Sequence, residues 1–180
     1  MWSDEVDTVL AAGQGHDLTA ASLPDIRSMR DECRRVEDKI SYLRRLVQGR
    51  LDIIAAELRR RAEGGTPGDL PSLVEQLPEI LSDRVRGPGA GRLPSSTLPP
   101  EDDEDLVAEL DSIVAPGTLD SLPSLPDEDA QKLADDLRDL ERRVSERRRD
   151  LFARIDALQA ELARRYKSGE ASVGVVLDTP

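Results

Sequence analysis

The chain has 180 residues, 37 acidic against 25 basic side chains and a formal net charge of -12, and its only aromatic residues are Trp2, Tyr42, Phe152 and Tyr166. Such a length suits one domain with tails, so few aromatics cannot fill a thick globular core, and the acidic balance argues against direct DNA binding. No apolar run approaches the roughly 18 residues of a membrane span and no basic-then-apolar leader is present, so a cytoplasmic protein without membrane association is expected.

Residues 1–21 mix Trp2, Val6, Val9 and Leu10 with glycine and polar residues. A mobile segment holding one or two helical turns is expected there, with Trp2 at a frayed end. Ser22, Pro24 and Asp25 form a helix start signal, and Gly64-Gly65 a stop, so the spacing predicts a first long helix over 22–64. Within it Ile26, Met29, Cys33, Val36, Ile40, Leu43, Val47, Leu51, Ile54 and Leu58 recur at steps of three and four. That is a heptad seam, and Cys33 belongs to it as a packing residue rather than a redox centre.

Residues 65–126 form a connector rich in proline, glycine and acid. Two short amphipathic helices are expected in it, over 70–85 with a break at Pro78 and over 106–114, with a disordered stretch at 86–100 between them. Covering the coiled coil and gripping a partner are equally open roles for these helices. A second long helix is predicted over 127–168, its seam Leu133, Leu137, Leu140, Val144, Leu151, Ile155, Leu158 and Leu162, with Arg147 interrupting it. It starts at a second copy of the string Ser-Leu-Pro-Asp found at Ser22. Residues 169–180 are a short tail. The fold class that follows is all-α: an antiparallel two-helix coiled coil, or helical hairpin, with short helices in its connector.

The two long helices are copies of one another. Sliding the chain by 104 positions lays 34–61 on 138–165 with 12 of 28 residues identical. One seam neighbour after another repeats: Glu37 on Glu141, Ser41 on Ser145, Arg44 on Arg148 and Asp52 on Asp156, while Gln48 meets Phe152. Steps of 4, 3, 4 and 4 keep these residues on one line beside the seam. In an antiparallel pair the two polar stripes would edge a groove with approximate two-fold symmetry, with Glu37 towards Asp156 and Asp52 towards Glu141. The charge is uneven in the same sense: 34–61 carries nine basic and four acidic residues and 138–165 nine and six, whereas 64–130 carries three and fifteen. The repeats can therefore attract a small phosphate ligand while the chain as a whole repels polyanions.

The pattern E-x3-S-x2-R-x3-Q-x3-D, carried twice, resembles the cyclic di-GMP signature of the RsiG-type anti-sigma factors of actinobacteria. The first copy matches at all five positions; the second departs at Phe152. The resemblance covers the long helices, about half of the chain. It implies a transcription regulator that holds a WhiG-like sporulation sigma factor when two cyclic di-GMP molecules are bound, with Glu37, Ser41, Arg44, Gln48, Asp52, Glu141, Ser145, Arg148, Phe152 and Asp156 as ligand contacts.

The residue chemistry by itself points to a guanine-bearing phosphate ligand. Guanine O6 and N7 accept from an arginine fork, and its N1-H and N2-H donate to carboxylates. Glutamates make poor phosphate neighbours, so Glu37 and Glu141 are expected to meet guanine donors or to orient the arginines. Phe152 offers a ring for stacking in place of an amide, which predicts an asymmetric site. Nothing in the stripe pairs a nucleophile with a base or clusters metal ligands, so an enzyme is not expected. The other reading is a structural coiled-coil adaptor whose charged face is only solvated.

Overall fold

The computed structural model describes residues 2–12, 18–65, 74–75, 77–80, 100 and 104–169. Its elements are α1 (Trp2–Ala11), α2 (Leu23–Ala62), α3 (Glu104–Ile113), a single turn α4 (Thr118–Ser121) running into a 3₁₀ turn (Leu122–Ser124), and α5 (Asp127–Ser168). The described residues contain no strand, and the all-α expectation holds.

Local signals set the ends of the long helices. At the start of α2 the Asp25 amide donates to Ser22 Oγ and the Ser22 amide to Asp25 Oδ2, each at 3.3 Å, a reciprocal cap. Past the other ends, Gly64 (φ 87°) and Gly169 (φ 77°) take the left-handed conformation that glycine adopts without steric penalty. The two Ser-Leu-Pro-Asp strings are used differently. The long helices begin 104 positions apart but the strings lie 102 apart, so Ser22 sits at a cap while Ser124 closes the 3₁₀ turn.

The chain divides into two compact units, each taking half of each long helix. Unit 1 is Met1–Ile40 with Glu146–Pro180, and unit 2 is Ser41–Ser145. In unit 1, Arg27 meets Tyr166 and Glu37 meets Arg148; in unit 2, Arg44 meets Glu141 and Arg61 meets Asp127. Position rises along α2 as it falls along α5, so both units are antiparallel helix pairs. Most of the predicted seam is their core: Ile26, Cys33, Val36 and Ile40 with Leu151, Ile155, Leu158 and Leu162 in unit 1, and Leu43, Val47, Leu51 and Ile54 with Leu137, Leu140 and Val144 in unit 2, are all buried, whereas Met29, Leu58 and Leu133 are half-buried at its margins. Each such side chain contributes about 1.5–3 kcal/mol, against about 0–1 kcal/mol for an exposed ion pair. The seam therefore decides the pairing, and the charges refine it.

Each unit also carries a short helix across its long pair. In unit 1 that helix is α1, where Trp2, Val6 and Val9 fall on one face and are buried. Glu5 accepts from Arg35 at 2.8 Å and Lys39 at 3.0 Å on α2, while Asp7 pairs with Arg147 of α5 at 2.8 Å. In unit 2 it is α3, with Leu106, Leu110 and Val114 buried, Glu109 paired with Arg143 of α5 at 2.6 Å and Asp111 with Arg50 of α2 at 2.8 Å. The 104-residue offset relates these as well: Trp2 to Leu106, Glu5 to Glu109, Val6 to Leu110, Asp7 to Asp111 and Lys39 to Arg143. The duplicated element is thus a short helix plus a long one.

Where a frayed terminus was expected, Trp2 is 6% exposed and anchors a ten-residue helix. A helix that short does not persist alone, so its order comes from the apolar face and the ion pairs beside it. The segment expected over 106–114 is α3, and its buried face shows it covering the long pair. Of the segment over 70–85, residues 74–75 and 77–80 are described and are helical. The disordered stretch expected over 86–100 lies outside the described residues apart from Pro100, and the tail lies outside them beyond Gly169.

Candidate functional site: duplicated arginine–glutamate clusters

The polar stripe yields one cluster in each unit. In unit 2, Arg44 Nε donates to Glu141 Oε1 at 3.1 Å and to Ser145 Oγ at 2.8 Å. Gln48 Nε2 donates to the same Glu141 oxygen at 3.0 Å, and Ser145 Oγ donates to it at 2.9 Å. One carboxylate on α5 thus gathers an arginine and an amide from α2. In unit 1 the roles of the helices exchange: Arg148 Nε on α5 donates to Glu37 Oε1 on α2 at 2.9 Å. Where the amide would be, the Phe152 ring lies under the guanidinium, 4.5 Å from its carbon to the ring centroid.

The clusters differ in exposure as well as composition. The Arg44 and Glu141 side chains are 34% and 24% exposed, those of Arg148 and Glu37 only 13% and 3%. Ser41 is buried, Gln48, Asp52, Ser145 and Phe152 are half-buried, and Asp156 is exposed. The stripe is therefore not a uniformly solvated face, because a carboxylate as buried as Glu37 must be hydrogen-bonded to be tolerated. Both glutamates hold arginines, one of the two roles anticipated for them. Arg44 and Arg148 are also charge-compensated within their own units.

Several roles within these units were not legible in the sequence. Arg147 interrupts the α5 seam because it faces Asp7 of α1, whereas its repeat partner Leu43 is fully buried. Arg154 occupies the place of Arg50, yet its Nε and Nη2 are buried without hydrogen-bond partners among the described residues, while Arg50 Nη1 reaches the Val114 carbonyl at 2.7 Å. Near the helix ends, Arg60 and Arg61 clasp Glu57, and Arg164 and Arg165 clasp Glu161 in the same manner. Arg61 continues to the Leu122 and Leu125 carbonyls, and Arg165 to those of Leu18 and Thr19, which ties each long helix to the turn that precedes the other. The hydrogen bonds from Arg164 and Arg165 bring the Glu161 carboxyl down to about 2. Burial raises that of Glu57, but Arg60 and Arg61 outweigh it, and the net displacement is downward. The 104-residue comparison over 34–61 already contains these arginines with Glu57 and Glu161, and extending it to the strings EVDTVLA and ELDSIVA would have located their acidic partners on the short helices.

Fold and clusters together define a duplicated helical-hairpin protein with one cross-helix arginine–glutamate cluster per unit. The chain belongs to the RsiG-like family, whose model matches residues 12–81 and 116–179. The matched segments begin 104 positions apart, the offset of the internal repeat. The family is one of anti-sigma factors rather than enzymes. Comparison with curated proteins gives no match. Among the described residues no helix is long and apolar enough to cross a membrane.

Proposed function

We propose that the protein is a cytoplasmic, cyclic di-GMP-responsive anti-sigma factor that sequesters a WhiG-like sporulation sigma factor when two cyclic di-GMP molecules are bound. The observation that carries this reading is the arginine–glutamate contact repeated in both units, Arg44 with Glu141 and Arg148 with Glu37. A guanine offers acceptors at O6 and N7 and donors at N1 and N2, so it can take up both members of such a contact without leaving either unpaired. Family membership supports the sigma-factor partner. By linkage, a partner that prefers the loaded form tightens nucleotide binding by the same factor that the nucleotide tightens the partner.

Calorimetry with cyclic di-GMP, with and without the sigma factor, tests this. Each bidentate guanine contact is worth about 1–3 kcal/mol, so Arg44→Ala and Arg148→Ala should each weaken binding at its own cluster roughly tenfold or more. Unchanged affinity in both variants would remove the stripe as the site. Equal capture of the sigma factor at zero and saturating nucleotide would show that the nucleotide is not the switch. A structural coiled-coil adaptor is the second reading, favoured by the fact that both arginines pair with glutamates of the facing helix. Absence of any binding heat would support it.

A further inference from the structure

We propose that Phe152 is a positioning residue that holds Arg148 back from ligand, so that the clusters fill in order, unit 2 before unit 1. This rests on the cyclic di-GMP reading above and deepens it. The internal repeat supplies the comparison, because the same motif position holds Gln48 in one unit and Phe152 in the other. Gln48 can both donate and accept, and its donor already points at the carboxylate that Arg44 uses. Phe152 does neither. Its ring carries the Arg148 guanidinium at 4.5 Å, while Glu37, almost wholly out of solvent, accepts from the same side chain at 2.9 Å.

To meet a guanine edge, Arg148 must leave an aromatic face and a buried carboxylate together, whereas Arg44 leaves a half-exposed one. A cation held over this half-buried ring and paired with the buried Glu37 carboxylate is stabilised enough to lower ligand affinity by about tenfold. The unit 1 cluster therefore takes ligand only at the higher concentrations, and the protein responds in two steps.

The test is calorimetry of the full chain with cyclic di-GMP. The wild type should show two classes of site about tenfold apart, and Arg148→Ala should delete the weaker class while leaving the tighter. Phe152→Gln should tighten the weaker class by about tenfold, so that the two merge. Phe152→Trp, which keeps a ring beneath the guanidinium, should retain the separation, and Phe152→Leu, apolar but without a ring, should move towards Phe152→Gln. Circular dichroism confirms that each variant keeps its helices. A single class in the wild type, an unaltered isotherm in Phe152→Gln, or further weakening in that variant overturns the inference; the last would mean that Phe152 stacks on the base. Binding by the wild type with no effect at 152 sinks this inference alone, whereas no binding by any form sinks the functional reading beneath it.

Discussion

Removing the two motif arginines should affect stability unequally, although they occupy equivalent positions in the repeat. Arg44→Ala breaks a contact whose partners are about a third and a quarter exposed, and such pairs are worth about 0.2–1 kcal/mol. Arg148→Ala takes an arginine donor from Glu37, whose side chain is 3% exposed, and also lifts the cation from the Phe152 ring. Removing a hydrogen-bond partner from a buried acceptor costs about 1–3 kcal/mol. For a chain of this size each kcal/mol moves the melting temperature by about 2–4 °C. Arg148→Ala should therefore lower it by roughly 2–12 °C and Arg44→Ala by at most about 4 °C. Urea titration followed by far-ultraviolet circular dichroism measures both, with an unchanged slope as the check that the unfolded states are comparable. Equal losses, or a greater loss for Arg44→Ala, would refute the claim that burial of Glu37 makes the unit 1 contact the more structural of the two.

Three other outcomes follow from the units. Trp2 is the only tryptophan, so its fluorescence reports the seating of α1: Val6→Asp should shift the emission to the red while the long helices keep their dichroism, and an unmoved spectrum would contradict the buried face. Arg154→Met removes two buried donors that lack partners and should be neutral or stabilising by about 1 kcal/mol, whereas Arg50→Met, which loses Asp111 and the Val114 carbonyl, should destabilise; the opposite order in urea would sink this assignment. Glu161 has its carboxyl lowered to about 2 from an ordinary value of 4.5, so its contribution is complete above pH 4.5 and is lost as pH falls from there towards 2. Glu161→Gln should accordingly be less stable than the wild type at neutral pH, with the two curves converging near pH 2, and a constant gap down to that pH would exclude the linkage.

The features legible in the sequence were those with a periodic or repeated signature. The seam announced itself by steps of three and four, the long helices by their stop glycines and the Ser22 cap, and the polar stripe by its recurrence at a fixed offset. The short helix α1 was underestimated because its order is tertiary: ten residues with a buried Trp2, Val6 and Val9 gain their stability from α2 and α5 rather than from helix propensity. The partners of the motif arginines were left open, since spacing along one helix does not say which carboxylate stands opposite on another. Arg147 looked like a flaw in the seam until Asp7 was found facing it. The unequal burial of Glu37 and Glu141 was also invisible, because their immediate neighbours on the seam, Val36 and Leu140, are alike in character.

The allotment of helix halves bears on how the chain is made. Unit 1 needs the beginning of α2 and the end of α5, and unit 2 needs the end of α2 and the beginning of α5. No contiguous stretch of the N-terminal half contains a complete unit. As the polypeptide leaves the ribosome, α2 emerges with its apolar seam bare; its second half can close a core only once the beginning of α5 follows, and its first half and α1 only once the rest of α5 does. Folding is therefore held to the last part of synthesis, and for most of translation the nascent chain is an uncovered amphipathic helix that other hydrophobic surfaces can capture. The same arrangement means that a premature stop anywhere before α5 leaves no partly working product, only a helix without its mate.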